Sequence, residues 1–170
     1  RIPEIDIFLR EGEQWKFKDN VAQVIEIPGH TTGHIAFYFI NEKIVFTGDT
    51  LFALGCGRLF EGTPEMMWNS LKKLRNLPND TKIYCGHEYT LNNAKFLESV
   101  IPNDSINNKI EKLKQLELDK MPSIPSTIKE EKELNLFFQS DSNNLKQKLD
   151  MKEKTDEETF AYLRNLKDNF

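Results

Sequence analysis

Cysteine is scarce in this sequence, and neither long apolar runs nor an excess of positive charge is present. The 170 residues include two cysteines, Cys56 and Cys85, with no C-x-x-C pair. This usage disfavours a disulfide-stabilised extracellular domain and predicts a cytoplasmic location. No apolar run approaches the roughly 20 residues that span a bilayer, so no membrane association is expected. The net charge of −4 and the isoelectric point of about 5.5 disfavour nucleic acid as a partner.

The sequence also lacks an initiator methionine and a signal-peptide pattern. We therefore expect that the natural N-terminus lies upstream of Arg1. The apolar content of 38%, with 12 phenylalanines, predicts a packed core in one ordinary domain or two small ones.

β-Strand patterns fill the first half of the sequence. Apolar or alternating segments predict strands at residues 5–9, 15–17, 21–27, 35–40, 43–47 and 82–85. The candidates for burial in the third of these segments are Val21, Val24, Ile25 and Ile27. A long irregular loop is expected at residues 48–62, followed by a helix that begins after the N-cap Thr63.

Helical patterns predominate from residue 90 onward, where no strand pattern is evident. Helices are predicted at residues 92–100 and 104–119, and capping-box spacing at Thr127 and Thr155 indicates two further helix starts. The last helix is expected to carry Arg164 and Lys167 on faces other than its inward, apolar one. The change in pattern predicts an α/β fold with a domain boundary between residues 88 and 102. This boundary divides an α/β domain at residues 1–90 from an α-helical domain at residues 91–170.

Three polar residues, His30, Asp49 and His87, each lie just past a predicted strand and are flanked by glycine or threonine. A carboxylate directly after a buried strand is poorly explained by packing, because Asp is rarely buried without a partner. If the strand ends converge, these side chains form a nitrogen and oxygen site suited to zinc, iron or manganese. In the alternative, Asp49 accepts backbone N–H groups in a turn and His30 is an ordinary loop histidine. His34, at the mouth of an apolar strand, is interpreted as a buried structural residue.

Three motifs in order along the chain resemble the metallo-β-lactamase superfamily. They are Pro-Gly-His-Thr-Thr-Gly-His at residues 28–34, Phe-Thr-Gly-Asp-Thr-Leu at 46–51 and Gly-His-Glu-Tyr-Thr at 86–90. Two more segments, Gly-Cys-Gly-Arg-Leu-Phe-Glu-Gly at 55–62 and Leu-Arg-Asn-Leu-Lys-Asp-Asn-Phe at 163–170, narrow the resemblance to the hydroxyacylglutathione hydrolase family, glyoxalase II. The resemblance covers nearly the whole chain. It implies a partial αββα sandwich followed by an α-helical glutathione-binding domain.

The resemblance implies a centre that holds two divalent metals, either zinc or else iron or manganese. His30 would bind the first metal, His87 the second, and Asp49 would bridge both. A hydroxide held between the metals would attack the thioester carbonyl of S-D-lactoylglutathione. The products would be glutathione and D-lactate, which places the reaction in methylglyoxal detoxification.

The resemblance also implies a set of substrate-binding residues. They are Arg58, Phe60, Tyr89, Arg164 and Lys167. The three cations among them suit the carboxylates of glutathione. Phe60 stands where some members of the family have a ligand-contacting Tyr, so that hydroxyl contact is absent here.

One motif of the family, Thr-His-x-His-x-Asp-His, is absent from this sequence, in which no histidine precedes His30. That motif supplies four further metal ligands, so each metal would keep one histidine and the shared Asp49, fewer than the usual three or four. We therefore expect either a fragment of a longer protein or a natural C-terminal piece, which binds metal weakly or not at all and hydrolyses thioesters poorly. We also expect an exposed apolar sheet face, with self-association or pairing with the missing N-terminal part.

Two other functions are compatible with the motifs. One is a mononuclear iron persulfide dioxygenase, which shares the His-Thr-x-Gly-His and Thr-Gly-Asp-Thr patterns but not residues 86–90 or the long helical tail. The other is a non-catalytic glutathione-binding or assembly protein. It would keep Arg58, Tyr89, Arg164 and Lys167 but lack the metal centre.

Overall fold

The structure, a computed structural model of the chain, describes residues 4–170. Residues 1–3, with which the predicted first domain begins, lie outside the described residues. The elements in chain order are β1 (Gln14–Phe17), β2 (Asn20–Glu26), β3 (Ile35–Phe39), β4 (Ile44–Gly48), β5 (Leu51–Phe52), β6 (Gly55–Cys56), α1 (Pro64–Arg75), β7 (Lys82–Cys85), α2 (Thr90–Val100), α3 (Asp104–Leu118), β8 (Ser126–Thr127), α4 (Ile128–Leu134), a 3₁₀ helix (Leu136–Gln139), α5 (Asn143–Lys148) and α6 (Asp156–Asp168).

A six-stranded mixed sheet with the strand order β1-β2-β3-β4-β7-β8 forms the centre of the structure. The first four strands form an antiparallel meander, because only short connections separate them. β7 pairs with β4 in parallel, and the crossover between them carries the β5–β6 hairpin and α1. The α/β fold with a helical C-terminal region is therefore confirmed.

Helix α1 packs an apolar face into the core and contributes Trp68, the largest fully buried side chain among the described residues. Its N-cap is Thr63, as predicted, and the Thr63 hydroxyl accepts the Met66 N–H at 3.2 Å. Along the predicted apolar face, Met67, Leu71 and Leu74 are buried and Leu77 is partly buried. They share one apolar core with the inward residues of the strands, which are Ile25, Ala36, Val45 and Ile83.

The region after β7 is helical, with boundaries close to those predicted. Asn103 rather than Asp104 caps α3, and its side-chain oxygen accepts the Ile106 N–H at 3.0 Å. The Thr155 capping box is present at the start of α6, and Thr127 caps α4. Among residues 4–170, no helix has the length and apolar character needed to cross a bilayer.

Two strand predictions were wrong in detail. Residues 5–9 form no strand, because no neighbouring strand within the described residues pairs with them, and Phe8 is exposed. Val21 is exposed rather than buried, since it lies at the turn end of the β1–β2 hairpin.

Two short pairings arise where no strand was predicted. The expected irregular loop at residues 48–62 contains the β5–β6 hairpin. β8, within the region read as helical, pairs with Lys82 and Ile83 of β7. Two-residue strands of this kind depend on backbone pairing to a distant segment, so they leave no alternating pattern in the sequence.

One face of the large sheet carries a row of aromatic side chains. They are Trp15, Phe17, Phe37, Phe39, Phe46 and Tyr84. Opposed positions on adjacent strands place Phe37, Phe46 and Tyr84 side by side. Phe17 and Phe46 are exposed, so the expected apolar sheet face is present. We refer to these six residues as the aromatic face.

Candidate active site

Three predicted site residues lie at the same edge of the large sheet. His30 follows β2, Asp49 follows β4 and His87 follows β7. β4 and β7 are parallel, and β2 runs in the same direction because two antiparallel pairings separate it from β4. The carboxyl ends of these strands therefore meet, which is where open α/β sheets bind ligands.

The Asp49 carboxylate lies between the two imidazoles. Its Oδ2 is 3.8 Å from Nε2 of His30, and its Oδ1 is 3.4 Å from Nε2 of His87. Each imidazole thus faces a different oxygen of one carboxylate. If cations bind here, each of two positions would have one imidazole and one oxygen of the Asp49 carboxylate.

The His30 imidazole has a defined tautomer. Its Nδ1 lies 2.9 Å from the backbone oxygen of Arg58. A carbonyl oxygen only accepts hydrogen bonds, so Nδ1 must carry the proton when the ring is neutral. The Nε2 lone pair is then directed toward Asp49, the orientation that a metal-ligating histidine requires.

The His34 ring contacts the backbone of Asp49. The Asp49 N–H donates to Nε2 of His34 at 3.0 Å, and Nδ1 of His34 lies 3.3 Å from the Thr31 hydroxyl. Burial is the main cause that lowers the pKa of His34; the neighbouring His30 lowers it further, and Asp49 partly offsets both. A neutral ring is the form that can accept the Asp49 N–H. These contacts agree with the interpretation of His34 as a structural residue.

Glycines surround Asp49 because side chains do not fit there. A Cβ on Gly86 would lie 2.4 Å from Oδ1 of Asp49, and one on Gly57 would lie 1.9 Å from its backbone oxygen. Both glycines stand in the motifs at residues 55–62 and 86–90, but the sequence alone does not show that they pack against Asp49. A glycine directly before His87 and another directly before Arg58 could have indicated that the backbone passes close to the site at both positions.

The residues around Asp49 fit part of a metal centre. Oδ1 of Asp49 is buried and has no hydrogen-bond partner within residues 4–170, which suits an oxygen that binds a cation. In the described part of the chain, however, no group of three or more His, Cys, Asp or Glu side chains is arranged to hold a metal ion. The donor set is therefore one imidazole and one carboxylate oxygen at each of two positions, short of a closed zinc site.

All eight predicted site residues line one cavity of about 530 Å³. They are His30, Asp49, Arg58, Phe60, His87, Tyr89, Arg164 and Lys167. The sequence analysis missed the other lining residues, which are Phe52, Cys56, Asn92, Asn93 and Phe170. The cavity thus brings the candidate metal ligands and the candidate substrate-binding residues into one space.

Aromatic rings contact the two candidate ligand imidazoles, His30 and His87, and the ammonium of Lys167. The His87 ring stacks on Tyr89 with centroids 4.9 Å apart, and His30 contacts the exposed Phe60 at 4.9 Å. The Lys167 ammonium lies 5.1 Å from the Phe96 ring and 4.8 Å from the Phe170 ring. Burial, followed by repulsion from Arg164 and Arg58, lowers the pKa of Lys167 to about 8.

Arg164, which was expected on a face of the last helix other than its apolar one, lies inside the protein. Arg164 is buried, at 5% exposure, because its guanidinium satisfies polar groups inside the protein. Nη1 donates to the Cys56 backbone oxygen at 2.7 Å, and Nη2 lies 3.2 Å from Asp168. Nε is buried without a hydrogen-bond partner among the described residues. Two of its three nitrogens therefore have partners within the described residues, whereas Nε has none.

Two family models together cover the chain. Residues 1–87 match the metallo-beta-lactamase superfamily, and residues 88–170 match the hydroxyacylglutathione hydrolase C-terminus. Among curated proteins, the hydroxyacylglutathione hydrolase of Pelagibacter ubique is 49% identical over all of this chain and 66% of that protein. The hydroxyacylglutathione hydrolase of Methylococcus capsulatus is 42% identical over all of this chain and 67% of that protein. The chain thus spans about two thirds of the length of these relatives.

Solved structures share the fold. ETHE1 from Myxococcus xanthus superposes with a TM-score of 0.62 at 24% identity, over 96% of this chain and 54% of that protein. The BLEG-1 B3 metallo-beta-lactamase superposes with a TM-score of 0.54 at 22% identity, over 78% of this chain and 48% of that protein. At such identities the likeness concerns the fold alone.

Proposed function

The chain belongs to the hydroxyacylglutathione hydrolase family of the metallo-β-lactamase superfamily, and we propose that it hydrolyses 2-hydroxyacylglutathione thioesters. S-D-lactoylglutathione would be cleaved to glutathione and D-lactate, a step of methylglyoxal detoxification. The relatives that bear this name support the proposal. Because the described residues offer one imidazole on each side of a single shared carboxylate, we expect the activity of this chain alone to be weak. A cytoplasmic location stays a prediction.

We propose that His30, Asp49 and His87 hold the divalent cations that the superfamily implies. When bound, such cations lower the pKa of water to about 7 and polarise a carbonyl. The chain supplies one imidazole to each position, and Asp49 supplies one carboxylate oxygen to each. His34 keeps Asp49 in place through the Asp49 N–H, and the Arg58 carbonyl keeps the His30 Nε2 lone pair directed inward.

The glutathione part of the substrate would bind at the cationic and aromatic side of the cavity. Arg58 and Lys167 suit the two carboxylates of glutathione. Tyr89 and Phe60 offer apolar surface, and the Tyr89 hydroxyl adds a polar contact. Arg164 adds positive charge, and its contacts with Cys56 and Asp168 hold the guanidinium at the wall of the cavity.

The observation that carries the proposal is the shared cavity of the three candidate ligands and the candidate glutathione-binding cations. The test measures the decrease in thioester absorbance when the purified chain is mixed with S-D-lactoylglutathione. Zn²⁺, Mn²⁺ or Fe²⁺ is added in separate reactions. We expect slow, metal-dependent hydrolysis that Asp49→Asn abolishes and Asp80→Asn, at an exposed residue paired with Lys43, leaves unchanged. Absence of metal-dependent turnover would contradict the hydrolase proposal for this chain.

A second candidate function is glutathione binding without turnover. The incomplete donor set within the described residues favours it. Binding of S-methylglutathione, a thioether that cannot be hydrolysed, in the absence of any thioesterase activity would support this alternative. The match of residues 88–170 to the hydroxyacylglutathione hydrolase C-terminus favours both candidates over a persulfide dioxygenase.

A further inference from the structure

The turn between β5 and β6 is held by side chains from the helical region. Four consecutive residues, 53–56, each have one backbone polar group bound in this way. The four contacts are Asn93 Nδ2 to Ala53 O at 3.0 Å, Leu54 N to Glu131 Oε2 at 2.9 Å, Asn135 Nδ2 to Gly55 O at 3.3 Å and Arg164 Nη1 to Cys56 O at 2.7 Å. We refer to these four side chains as the clamp.

Glu131 is the central member of the clamp. It is fully buried and also accepts hydrogen bonds from Asn135 Nδ2 at 2.8 Å and the Ser126 hydroxyl at 2.5 Å. Leu54, whose N–H it binds, has a φ of 60°, a conformation that is unfavourable for a residue with a side chain. A strained turn keeps its shape only when surrounding contacts determine it. Glu131 supplies the contact at the strained residue itself.

The clamped turn is connected to the candidate active site through β6. Directly after β6, the Gly57 N–H donates to the Thr50 backbone oxygen at 3.1 Å, one residue beyond Asp49. The Arg58 backbone oxygen then contacts Nδ1 of His30 at 2.9 Å. On its other side, the segment is anchored by the Phe60 and Glu61 N–H groups, which donate to the His30 backbone oxygen at 3.2 and 3.4 Å. The turn therefore fixes one of the two ends of the segment whose carbonyl orients the His30 ring.

We propose that Glu131 is a positioning residue for the candidate active site. Its carboxylate fixes the β5–β6 turn, and the turn fixes the Arg58 carbonyl and, through it, the orientation of His30. The importance of this orientation rests on the proposed function, but the geometric coupling does not. The helical region thereby contributes to the metal side of the site as well as to the glutathione side.

Two substitutions of Glu131 distinguish the effect of side-chain length from the effect of charge. Glu131→Gln removes the charge but keeps the length of the side chain, and its amide can satisfy Leu54, Asn135 and Ser126. Glu131→Asp keeps the charge but withdraws the carboxylate by one methylene, so it loses contact with the Leu54 N–H. Ser140→Ala is a matched control, since it removes a buried hydroxyl that binds Phe137 O within the helical region and does not touch the turn.

The test measures the ring nitrogens of His30 by NMR at about pH 8, where an ordinary histidine is neutral, together with amide hydrogen exchange at Leu54. We expect one tautomer, protonated at Nδ1, in the parent chain, Glu131→Gln and Ser140→Ala. Glu131→Asp should give a mixture of tautomers and exchange at Leu54 faster by about tenfold or more. An unchanged His30 signal in a folded Glu131→Asp chain would overturn the proposal, as would an equal change in Ser140→Ala.

These readouts need neither metal nor turnover. If Glu131→Asp fails to fold, Asn135→Ala tests the same turn through Gly55 O, with the same expected loss of a single His30 tautomer. A parent chain that does not bind S-methylglutathione and does not hydrolyse the thioester would contradict the proposed function. It would leave the coupling between Glu131 and His30 to be decided by the NMR result.

Discussion

The Asp49 N–H donates to Nε2 of His34 at 3.0 Å, and this approach requires the glycine between Thr47 and Asp49. Gly48 has a φ of 51°, and a Cβ at this position would lie 2.3 Å from Nε2 of His34. The glycine therefore lets the chain turn sharply after β4 and lets the imidazole reach the backbone. Both effects direct the Asp49 side chain toward His30 and His87.

Replacing Gly48 by alanine should destabilise the protein by about 2 kcal/mol or more. The positive φ and the clash with His34 both contribute to this cost. Urea unfolding measures it. Gly33→Ala is the control, because nothing lies within 4 Å of a Cβ at Gly33, and its effect should stay within about 0.5 kcal/mol. Equal stabilities of the two variants would show that His34 does not need this close approach.

Zinc should bind weakly to the chain, through Asp49 and the two imidazoles that face it. Three protein ligands shared between two positions are fewer than a single closed zinc site uses. Calorimetric titration with Zn²⁺ should give low affinity, and Asp49→Ala should abolish binding because it removes the ligand common to both positions. Asp80→Asn, at an exposed residue, should leave the titration unchanged. Two tightly held metals per chain would refute this prediction.

The buried Glu131 should make the protein less stable as the pH rises toward 7. Burial raises its pKa to about 7, although Ser126, Asn135 and the Leu54 N–H stabilise the charged form; nearby Glu130 raises it slightly further. Because the folded state holds the proton to higher pH than the unfolded state, the contribution is complete below about pH 4.5. It is lost as the pH rises through about 7, and its full size is about 3 kcal/mol.

Unfolding of Glu131→Gln by urea across this pH range checks the prediction. Relative to the parent chain, the variant should gain stability between about pH 5 and pH 8, because an amide has no proton to lose. Glu117→Gln removes the same charge from an exposed position and serves as the control. Parallel pH profiles for Glu131→Gln and the parent chain would contradict a raised pKa at Glu131.

The fold and the candidate ligands could be predicted from the sequence because local signals specify them. The strands that precede His30, Asp49 and His87 have apolar patterns, and the direction of each strand follows from short connections. The eight residues that now share one cavity were named from motifs. The structure adds the distances, the tautomer of His30 and the hydrogen bond between His34 and Asp49.

Contacts between distant segments could not be predicted in the same way. Glu131 binds Leu54 across 77 residues, and no periodicity marks either residue. Arg164 lies on a helix among other charged residues, and the sequence pattern gives no sign that it is buried. Its burial depends on the Cys56 carbonyl, 108 residues away. Such contacts form only when the helical region packs against the β5–β6 hairpin, so they can be identified only from the three-dimensional structure.

Ligand binding at the cationic side of the cavity should weaken above about pH 8. Burial and two neighbouring cations lower the pKa of Lys167 to about 8, so its ammonium loses charge in this range and attracts a carboxylate less. Fluorescence or calorimetric titration with S-methylglutathione at pH 7 and pH 9 measures the change. Lys167→Arg should flatten it, since a guanidinium stays charged. An identical pH dependence in both proteins would assign the change to the ligand.

The aromatic face should cause self-association of the chain through a second copy. Phe17 and Phe46 expose 51% and 46% of their surface, and adjacent rings on three strands make this apolar surface continuous. Contiguous apolar surface of this kind is normally covered in soluble proteins, because its exposure to water is unfavourable. Sedimentation velocity should show concentration-dependent dimers that Phe46→Lys reduces. Leu118→Lys, at a residue outside the aromatic face that is 76% exposed, should leave them unchanged. A chain that stays monomeric at all concentrations would show that this face alone does not drive pairing.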